Sequence, residues 1–461
     1  MNNTQKRSNF SGKLGFVLAA AGSAVGLGNM WRFPYLAAKH GGGIFLLVYL
    51  ILAVTFGFGL MITEIAIGRK TGLSAIEAYG KLNKKFKFLG YLAAIVPIII
   101  LPYYCVIGGW VMKYFGVFVS GAGHKAAADG FFGGFVSKAS EPLLWFALFL
   151  GLTALVVLLG VDKGIEKVSK IMMPVLVLLS IGIAVFSMTR PGAMEGVKYY
   201  LLPDFENFSV VTVLSAMGQL FYSMSLAMGI MITYGSYMKK DVNLESSVRH
   251  IEIFDTGIAF LAGLMIIPPL FSATASNPEQ LDGLLKSGPS LMFVSLPKVF
   301  DGMPGVTGDI IGSVFFLLVI FAALTSSISL MEAIVSIIHD KFHIGRKACC
   351  FVTLGISIVL GVPSSLGFGV LSFINPLGTA GGSILDFFDF VSNNILMPIV
   401  ALLTCILVGY VIKTKTVSDE VELNGKFKGK KLFEVVVKYI APVCIVAILV
   451  FSVLDVFFKL S

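Results

Sequence analysis

The sequence predicts an all-α polytopic membrane protein with eleven transmembrane helices, and three observations support this fold class. The 461-residue chain is 56% hydrophobic and 13% charged, with a mean hydropathy of +0.90, more apolar than a water-soluble domain of this length. Apolar runs of roughly 20 residues, long enough to cross a bilayer, recur along the whole chain. Basic residues are concentrated in alternate connections between these runs.

The apolar runs define the predicted organisation of the chain. We predict spans at 13–38, 42–68, 88–118, 143–161, 168–188, 211–237, 251–273, 309–340, 347–363, 384–412 and 434–458. The predicted units are a cytoplasmic N-terminal segment (1–12), a first five-helix repeat (13–188), an extracellular loop (189–210), a second five-helix repeat (211–412), a cytoplasmic loop (413–433) and the eleventh helix with the C-terminus (434–461). No separate soluble domain is expected.

Charge and cysteine content set the orientation and exclude other classes. The basic connections include those at Lys6 to Lys13, Arg69 to Lys87 and Lys426 to Lys431, which the positive-inside rule assigns to the cytoplasm. We therefore expect a multi-pass plasma-membrane protein with a cytoplasmic N-terminus and an external C-terminus, surrounded by lipid. Topology explains the net charge of +9, so no nucleic-acid partner is expected. All five cysteines lie in or beside spans, which predicts no disulfide framework.

Two spans are interrupted by residues that disfavour helix. The first contains GSAVGLGNMWRFP (22–34) and the sixth contains SMSLAMG (223–229). Backbone that leaves a helix at membrane depth is tolerated only where it lines a cavity or binds polar groups. Glycine alone more often serves close helix packing, but Asn29, Arg32 and Pro34 favour a functional break. Paired breaks heading two five-span units indicate a secondary transporter with a midplane site.

Two other classes fit the residues less well. A channel needs repeated polar rings along a pore, whereas the polar residues here cluster at the two breaks. An enzyme needs a nucleophile and base or a metal set, yet all five histidines lie at span ends or in loops. The sequence therefore predicts a transporter and not an enzyme.

The motifs GSAVGLGNMWRFP followed by GGG, GQLFYSMSLAMG, and LTSSIS resemble the neurotransmitter:sodium symporter family, in particular its eleven-span prokaryotic branch. The resemblance implies the LeuT-like fold, with two inverted five-helix repeats and broken first and sixth helices. It also implies sodium-coupled import of a neutral, hydrophobic or aromatic amino acid by alternating access. Transport of a small amine or another zwitterion stays open, as does a homo-oligomeric state.

The resemblance implies two sodium sites. The first would use the carbonyl of Ala24 and the side chains of Asn29, Ser223 and Asp255, together with the substrate carboxylate. The second would use carbonyls of Gly22, Val25 and Ala322 and the hydroxyls of Thr325 and Ser326. Carbonyls, hydroxyls and one amide are suitable oxygen ligands for a hard cation. Serine and threonine in a membrane helix also commonly bond back to the preceding turn.

The resemblance places the organic substrate between the two breaks. The backbone N–H groups of Leu27 and Gly28 and the hydroxyl of Tyr104 would hold its carboxylate. Gly26 stands where the monoamine branch of the family carries an aspartate, which favours an amino acid over a decarboxylated amine. The implied pocket residues are Ser23, Ala24, Gly26, Leu27, Gly28, Ile100, Tyr104, Phe221, Tyr222, Ser223, Ser225, Met228, Ser326 and Leu330.

Two gates follow from the same resemblance. The outer gate would pair Arg32 with Asp389 or with Asp386. The inner gate would pair Arg7 with Asp340, with Tyr237 nearby.

Two further acids lie within apolar spans. Glu64 would face the unwound part of the sixth span and accept its freed N–H groups. For Glu332, the sequence suggests no role.

The last expectation concerns anions. Animal members of the family use chloride beside the substrate-linked sodium, and the matching positions here are Tyr49, Gln219, Ser223, Asp255 and Ala259. Asp255 replaces an asparagine of the chloride-dependent members and carries its own negative charge. We therefore expect Asp255 to substitute for the anion and chloride to be dispensable. Alternatively, Asp255 caps the start of the seventh span.

Overall fold

The structure is a computed structural model that describes residues 9–274, 289–378 and 382–458. Its described residues form helices joined by short connections, with one isolated β-bridge between Gly42 and Pro203. The long or paired helices are α1 Lys13–Ala24, α2 Gly28–Lys39, α3 Gly43–Thr71, α4 Lys84–Val119, α5 Ser140–Leu158, α6 Val161–Met188, α7 Val210–Ser223, α8 Ile230–Ser236, α9 Leu244–Ala273, α10 Thr307–Phe342, α11 Arg346–Leu366, α12 Ile384–Val411 and α13 Lys430–Ser452.

Short helices on the connections complete the fold. They are Ala75–Leu82, Gly123–Ala127, Phe131–Val136, Ala193–Leu201, Leu296–Asp301 and Lys415–Val421, with single turns at Phe205–Asn207, Leu291–Ser295 and Glu422–Asn424. Ala193–Leu201 and Phe205–Asn207 lie in the segment predicted as the extracellular loop (189–210).

The number of spans is close to the prediction. Within the described residues, nine helices are long and apolar enough to cross a membrane, and α1 with α2 make a tenth if the bent pair is one span. The predicted sixth span coincides with α7 and α8, which have 14 and 7 residues and are each too short to cross alone. The eleven-span count, the two inverted repeats and the proposed unit boundaries stay predictions.

The predicted break in the first span is present. Helix α1 ends at Ala24, Val25 is extended with ψ 99°, and α2 begins at Gly28 with its axis bent by 53°. Glycine is required here for close packing. A Cβ on Gly26 would lie 2.7 Å from Ser326 Oγ, and one on Gly28 would lie 2.4 Å from the Tyr222 ring.

The predicted break in the sixth span is also present. Between α7 and α8, three residues take left-handed backbone angles: Ser225 (φ 52°), Ala227 (φ 60°) and Gly229 (φ 70°). Such angles strain a residue with a Cβ and persist where the surrounding structure holds them. One restraint is Glu64 on α3, whose Oε1 accepts a hydrogen bond from Ala227 N at 2.7 Å. This is the contact that the family resemblance implied.

The packing around the breaks is tight. A Cβ on Gly68 of α3 would lie 1.9 Å from the carbonyl oxygen of Ile232, so α3 and α8 approach at backbone distance. Helix α10 packs against both α1 and the long helix α4. The two breaks therefore lie next to each other, surrounded by α3, α4, α9 and α10.

Candidate functional site

A buried cavity lies where the two breaks meet. Its volume is about 30 Å³, and none of its described lining residues is Lys, Arg, Asp or Glu. The lining residues come from both breaks and from α4 and α10. They are Ser23, Ala24, Gly26, Leu27, Gly28, Asn29, Ile100, Tyr104, Tyr222, Ser223, Ser225, Met228, Ile230, Ser326 and Leu330.

The cavity contains every pocket residue that the resemblance implied except Phe221. Phe221 is not among the described lining residues, and its ring packs edge to face on Phe56 with 5.2 Å between centroids. The reason is that α7 is still helical at Phe221, so its side chain and that of Tyr222 leave the helix in different directions. Ile230 was not predicted, because it enters the lining only through the turn that joins α7 to α8.

The first oxygen cluster surrounds a buried carboxylate. Asp255 is fully buried on α9, and its Oδ1 accepts hydrogen bonds from Asn29 Nδ2 and Ser223 Oγ, both at 2.8 Å. Its Oδ2 accepts a longer bond from Tyr49 OH at 3.4 Å. Among the described residues no basic side chain pairs with Asp255, so none of them serves as its counter-ion. A buried carboxylate in this setting is costly unless a cation joins it.

The cluster is connected to the first break. Asn29 Oδ1 accepts a hydrogen bond from Gly26 N at 3.0 Å, and Gln219 Nε2 donates to the Gly28 carbonyl at 3.0 Å. Asp255 lies well inside α9, eleven residues after its start at Leu244. The alternative that Asp255 is a helix cap is therefore wrong.

The second oxygen cluster joins α1 to α10. Ser326 Oγ lies 3.0 Å from the Ser23 carbonyl oxygen, 3.2 Å from that of Val25 and 3.4 Å from that of Gly22. Thr325 Oγ1 lies 3.1 Å from the Ala322 carbonyl oxygen and also bonds back to Phe321. Neutral oxygens that converge in this way suit an ion with little ligand charge, such as sodium. The described residues contain no cluster of three or more His, Cys, Asp or Glu residues for a transition metal.

Two of the groups predicted to hold the substrate carboxylate, Leu27 N and the Tyr104 hydroxyl, are neighbours in the structure. Tyr104 OH accepts a hydrogen bond from Leu27 N at 3.1 Å. The hydroxyl also interacts with the Ser326 side chain. The hydroxyl also lies 2.8 Å from where a Gly26 Cβ would be, so it points to the break itself.

The two acids predicted as gate partners of Arg32, Asp389 and Asp386, have different environments. Asp389 Oδ1 accepts hydrogen bonds from Tyr103 OH at 3.1 Å and Asn393 Nδ2 at 2.6 Å. Asp386 instead forms a capping box with Ser383 at the start of α12. The guanidinium of Arg32 lies over the Tyr222 ring, 5.4 Å from its centroid. Both Arg32 and Asp389 are among the described residues, and no ion pair joins them.

At the predicted inner gate, Arg7 lies outside the described residues. Its expected partner Asp340 accepts a hydrogen bond from Ser74 N at 2.7 Å. Tyr237 OH donates to Glu332 Oε1 at 2.6 Å, and Phe10 packs against the Tyr237 ring with 6.1 Å between centroids.

Glu332 has a structural partner that sequence reasoning missed. Its carboxylate is fully buried on α10 and pairs through both oxygens with Arg346, at the start of α11. Arg346 also donates to the Val157 carbonyl oxygen at 2.8 Å. The signal in the sequence that could have predicted this pair is an acid and an arginine fourteen residues apart, on consecutive helices.

Comparison with known proteins agrees with this geometry. The model of the sodium:neurotransmitter symporter family matches residues 7–122 and 136–459. The uncharacterized sodium-dependent transporter YhdH of Bacillus subtilis (strain 168) is 36% identical over 452 residues, which cover 96% of this chain and 97% of that protein. A sodium-dependent transporter of Methanocaldococcus jannaschii is 33% identical, covering 96% of this chain and 90% of that protein.

A solved structure resembles the chain over nearly its whole length. The crystal structure of MhsT in complex with L-phenylalanine superposes with a TM-score of 0.86 at 36% identity, covering 97% of this chain and 100% of that chain. These relatives are transporters and not enzymes. The chain therefore belongs to the sodium:neurotransmitter symporter family.

Proposed function

We propose that this transporter couples the sodium gradient to the import of a neutral, hydrophobic or aromatic amino acid by alternating access. The observation that carries the proposal is the buried cavity at which both helix breaks meet, with an oxygen cluster on either side. Sodium dependence follows from the family. The substrate, the number of ions and the direction of transport are the proposed part.

Each oxygen cluster would hold one sodium ion. The first would use Asn29, Ser223 and Asp255 with the substrate carboxylate, and the second would use Thr325 and Ser326 with backbone carbonyls. The remaining ligands would be carbonyls of Ala24 in the first site and of Gly22, Val25 and Ala322 in the second. Because the clusters link the first break to α9 and α10, filled sites would hold the occluded arrangement together.

The substrate carboxylate would complete the first sodium site. The proposed donors are Leu27 N, Gly28 N and the Tyr104 hydroxyl. A carboxylate between these donors and the ion would be stabilised by hydrogen bonds on one side and by the positive charge on the other. A decarboxylated amine has no such group. In this way the organic substrate and the first sodium would bind together.

The side-chain end of the cavity favours an uncharged group. Ile100, Met228 and Leu330 supply apolar surface, and no charged side chain lines the cavity. The binding of L-phenylalanine by MhsT supports an aromatic or hydrophobic side chain. A small amine or another zwitterion is the second candidate, because relatives at 26% identity are named as GABA and taurine transporters.

The gates and the orientation complete the proposal. Arg32 with Asp389 would close the outer side, since Asp386 is engaged by its helix cap. Arg7 with Asp340 and Tyr237 would close the inner side. The protein would lie in the plasma membrane with its N-terminus in the cytoplasm and its C-terminus outside.

Uptake into proteoliposomes tests the proposal. With an inward sodium gradient, labelled phenylalanine should accumulate, and replacing external sodium by choline should abolish accumulation. Competition by all twenty amino acids then ranks the side chains. Phenethylamine is the matched control, because it keeps the aromatic side chain and the amine but lacks the carboxylate. Phenethylamine competing as well as phenylalanine would contradict the carboxylate site, and uptake that ignores sodium would contradict the coupling.

A further inference from the structure

A second crevice lies outside the transport site, between the start of α9 and the segment that precedes α13. It is open to solvent and has a volume of about 610 Å³. Its lining includes Glu245, Ser246, Arg249, Lys426, Lys428 and Leu432. Both flanking segments belong to connections that the positive-inside rule places on the cytoplasmic side.

The walls of this crevice are held together by specific contacts. Both oxygens of Glu245 accept backbone hydrogen bonds, from Lys428 N at 2.9 Å and from Gly429 N at 3.0 Å. A Cβ on Gly429 would lie 2.9 Å from the Phe58 ring, so this segment rests directly on α3. The guanidinium of Arg249 stacks over the same Phe58 ring, 3.7 Å from its centroid. These contacts fix the positions of the two walls of the crevice relative to each other.

Its charges are unbalanced. Neighbouring lysines in this part of the chain have acidic partners: Lys240 pairs with Glu420 at 2.7 Å and Lys430 with Glu422 at 2.9 Å. Lys426 and Lys428 line the crevice and form no ion pair with any described residue.

The arginine in the wall adds to this positive charge. Arg249 has one carboxylate nearby, Glu252 at 3.4 Å, and keeps a third of its side chain exposed. Glu245 is the one carboxylate among the described lining residues, against the three basic side chains of Arg249, Lys426 and Lys428, so the crevice carries a net positive charge that favours an anion.

The surface next to the crevice is apolar. On α9, Ile253 is 68% exposed, and on α13, Val435 and Tyr439 are 47% and 62% exposed. Ile253 lies four residues after Arg249, and Val435 and Tyr439 lie three and seven residues after Leu432, so the helical repeat places them on the crevice side of the two helices. The site thus combines basic side chains in the crevice with exposed apolar side chains beside it. This combination matches a ligand with an anionic head and apolar chains.

We propose that this crevice binds the phosphate headgroup of an anionic phospholipid, with the acyl chains along α9 and α13. The headgroup phosphate would lie between Arg249, Lys426 and Lys428. The lipid would then bridge the start of α9, the helix that carries Asp255, to the last long helix. This site is independent of the amino-acid cavity and of the substrate proposed for it.

Lipid retention by the purified protein tests the proposal. The protein is reconstituted in nanodiscs of phosphatidylcholine with a minor fraction of phosphatidylglycerol, and bound lipids are counted by native mass spectrometry. The double variant K426Q/K428Q removes two exposed cations. Each basic residue near an anionic surface contributes about 1 kcal/mol, so retention of phosphatidylglycerol should fall about 30-fold. Phosphatidylcholine retention should not change.

The matched control is K84Q/K85Q, which removes two exposed lysines from another connection that the positive-inside rule places in the cytoplasm. Its phosphatidylglycerol retention should stay within about twofold of the unmodified protein. An equal fall in both double variants would mean general surface attraction and would overturn the proposal. Displacement of the lipid by millimolar inorganic phosphate would also overturn it, because the site would then bind a soluble anion. Unchanged thermal unfolding of both variants checks that each is folded.

Discussion

Replacing Asp255 with asparagine removes the negative charge of the first oxygen cluster while keeping its size and hydrogen-bonding shape. Asn29 Nδ2 and Ser223 Oγ each lie 2.8 Å from Asp255 Oδ1. An ion held by these side chains and by Asp255 would lie within about 4 Å of the centre of the carboxylate. At that distance and an effective dielectric constant of about 20, the attraction between unit charges is about 4 kcal/mol.

This energy sets the expected size of the effect. Since about 1.4 kcal/mol corresponds to a factor of ten, D255N should bind sodium up to about 1000-fold more weakly in chloride-free medium. A chloride ion could restore the missing charge, because Tyr49, Gln219 and Ser223 still offer donors around the position. The unmodified protein should be indifferent to chloride, whereas D255N should become dependent on it.

The assay is sodium-driven uptake in proteoliposomes, titrated with sodium in either chloride or gluconate. The unmodified protein should give the same sodium curve in both anions. For D255N the curve should shift to much higher sodium in gluconate and return part of the way in chloride. Two results would refute the reasoning: collapse of unmodified uptake without chloride, or full activity of D255N in gluconate.

Three further predictions concern the other parts of the site. The double variant T325A/S326A should lose sodium-dependent uptake yet remain folded, whereas S313A on the same helix, whose hydroxyl only bonds back to its own turn at 2.7 Å, should transport normally; retained coupling in T325A/S326A would disprove the second sodium site. G26D should weaken substrate binding far more than G26A, because both add a Cβ that would lie 2.7 Å from a serine hydroxyl but only aspartate adds a charge that repels the substrate carboxylate; equal binding losses would mean that packing alone is responsible. E64A should lower the free energy of unfolding by about 1–3 kcal/mol, because it leaves a buried N–H of the sixth-span break without an acceptor. E64Q keeps an acceptor oxygen, so scanning fluorimetry should give it a higher unfolding temperature than E64A. Equal unfolding temperatures would contradict the role of Glu64 as an acceptor for the break.

Both helix breaks could be predicted from the sequence because their cause is local. Glycine and proline destabilise helices wherever they occur, so the clusters around Gly26 and Gly229 mark the breaks directly. The left-handed angles of Ser225 and Ala227 could not be predicted, because neither residue favours them. Contacts such as that of Glu64 help to hold this segment, and they depend on the tertiary fold.

The choice between Asp386 and Asp389 shows what a local signal can resolve. Ser383 followed three residues later by Asp386 is a capping-box pattern, and the structure forms that box. Asp389 then lies one turn farther along, beside Tyr103. The pattern was available in the sequence, although the neighbour of Asp389 was not, since Tyr103 lies 286 residues away.

Other features depend on contacts that no local pattern encodes. Glu332 is fully buried, and its partner Arg346 begins the next helix, so their pairing requires the turn between α10 and α11. Phe221 was assigned to the pocket by resemblance alone, but its direction is set by the exact residue at which α7 ends. Side-chain direction near a helix end changes by about 100° per residue, which makes such assignments sensitive to the boundary.

The most direct test of the account is the substrate gradient that balances a sodium gradient. Proteoliposomes are clamped at zero membrane potential and equal pH, with an about tenfold inward sodium gradient, and net phenylalanine flux is measured at a series of internal phenylalanine concentrations. Two coupled sodium ions predict zero net flux when internal phenylalanine exceeds external phenylalanine about 100-fold, since each ion contributes one tenfold factor. Zero net flux at equal concentrations would show that sodium does not drive transport, and would contradict the account.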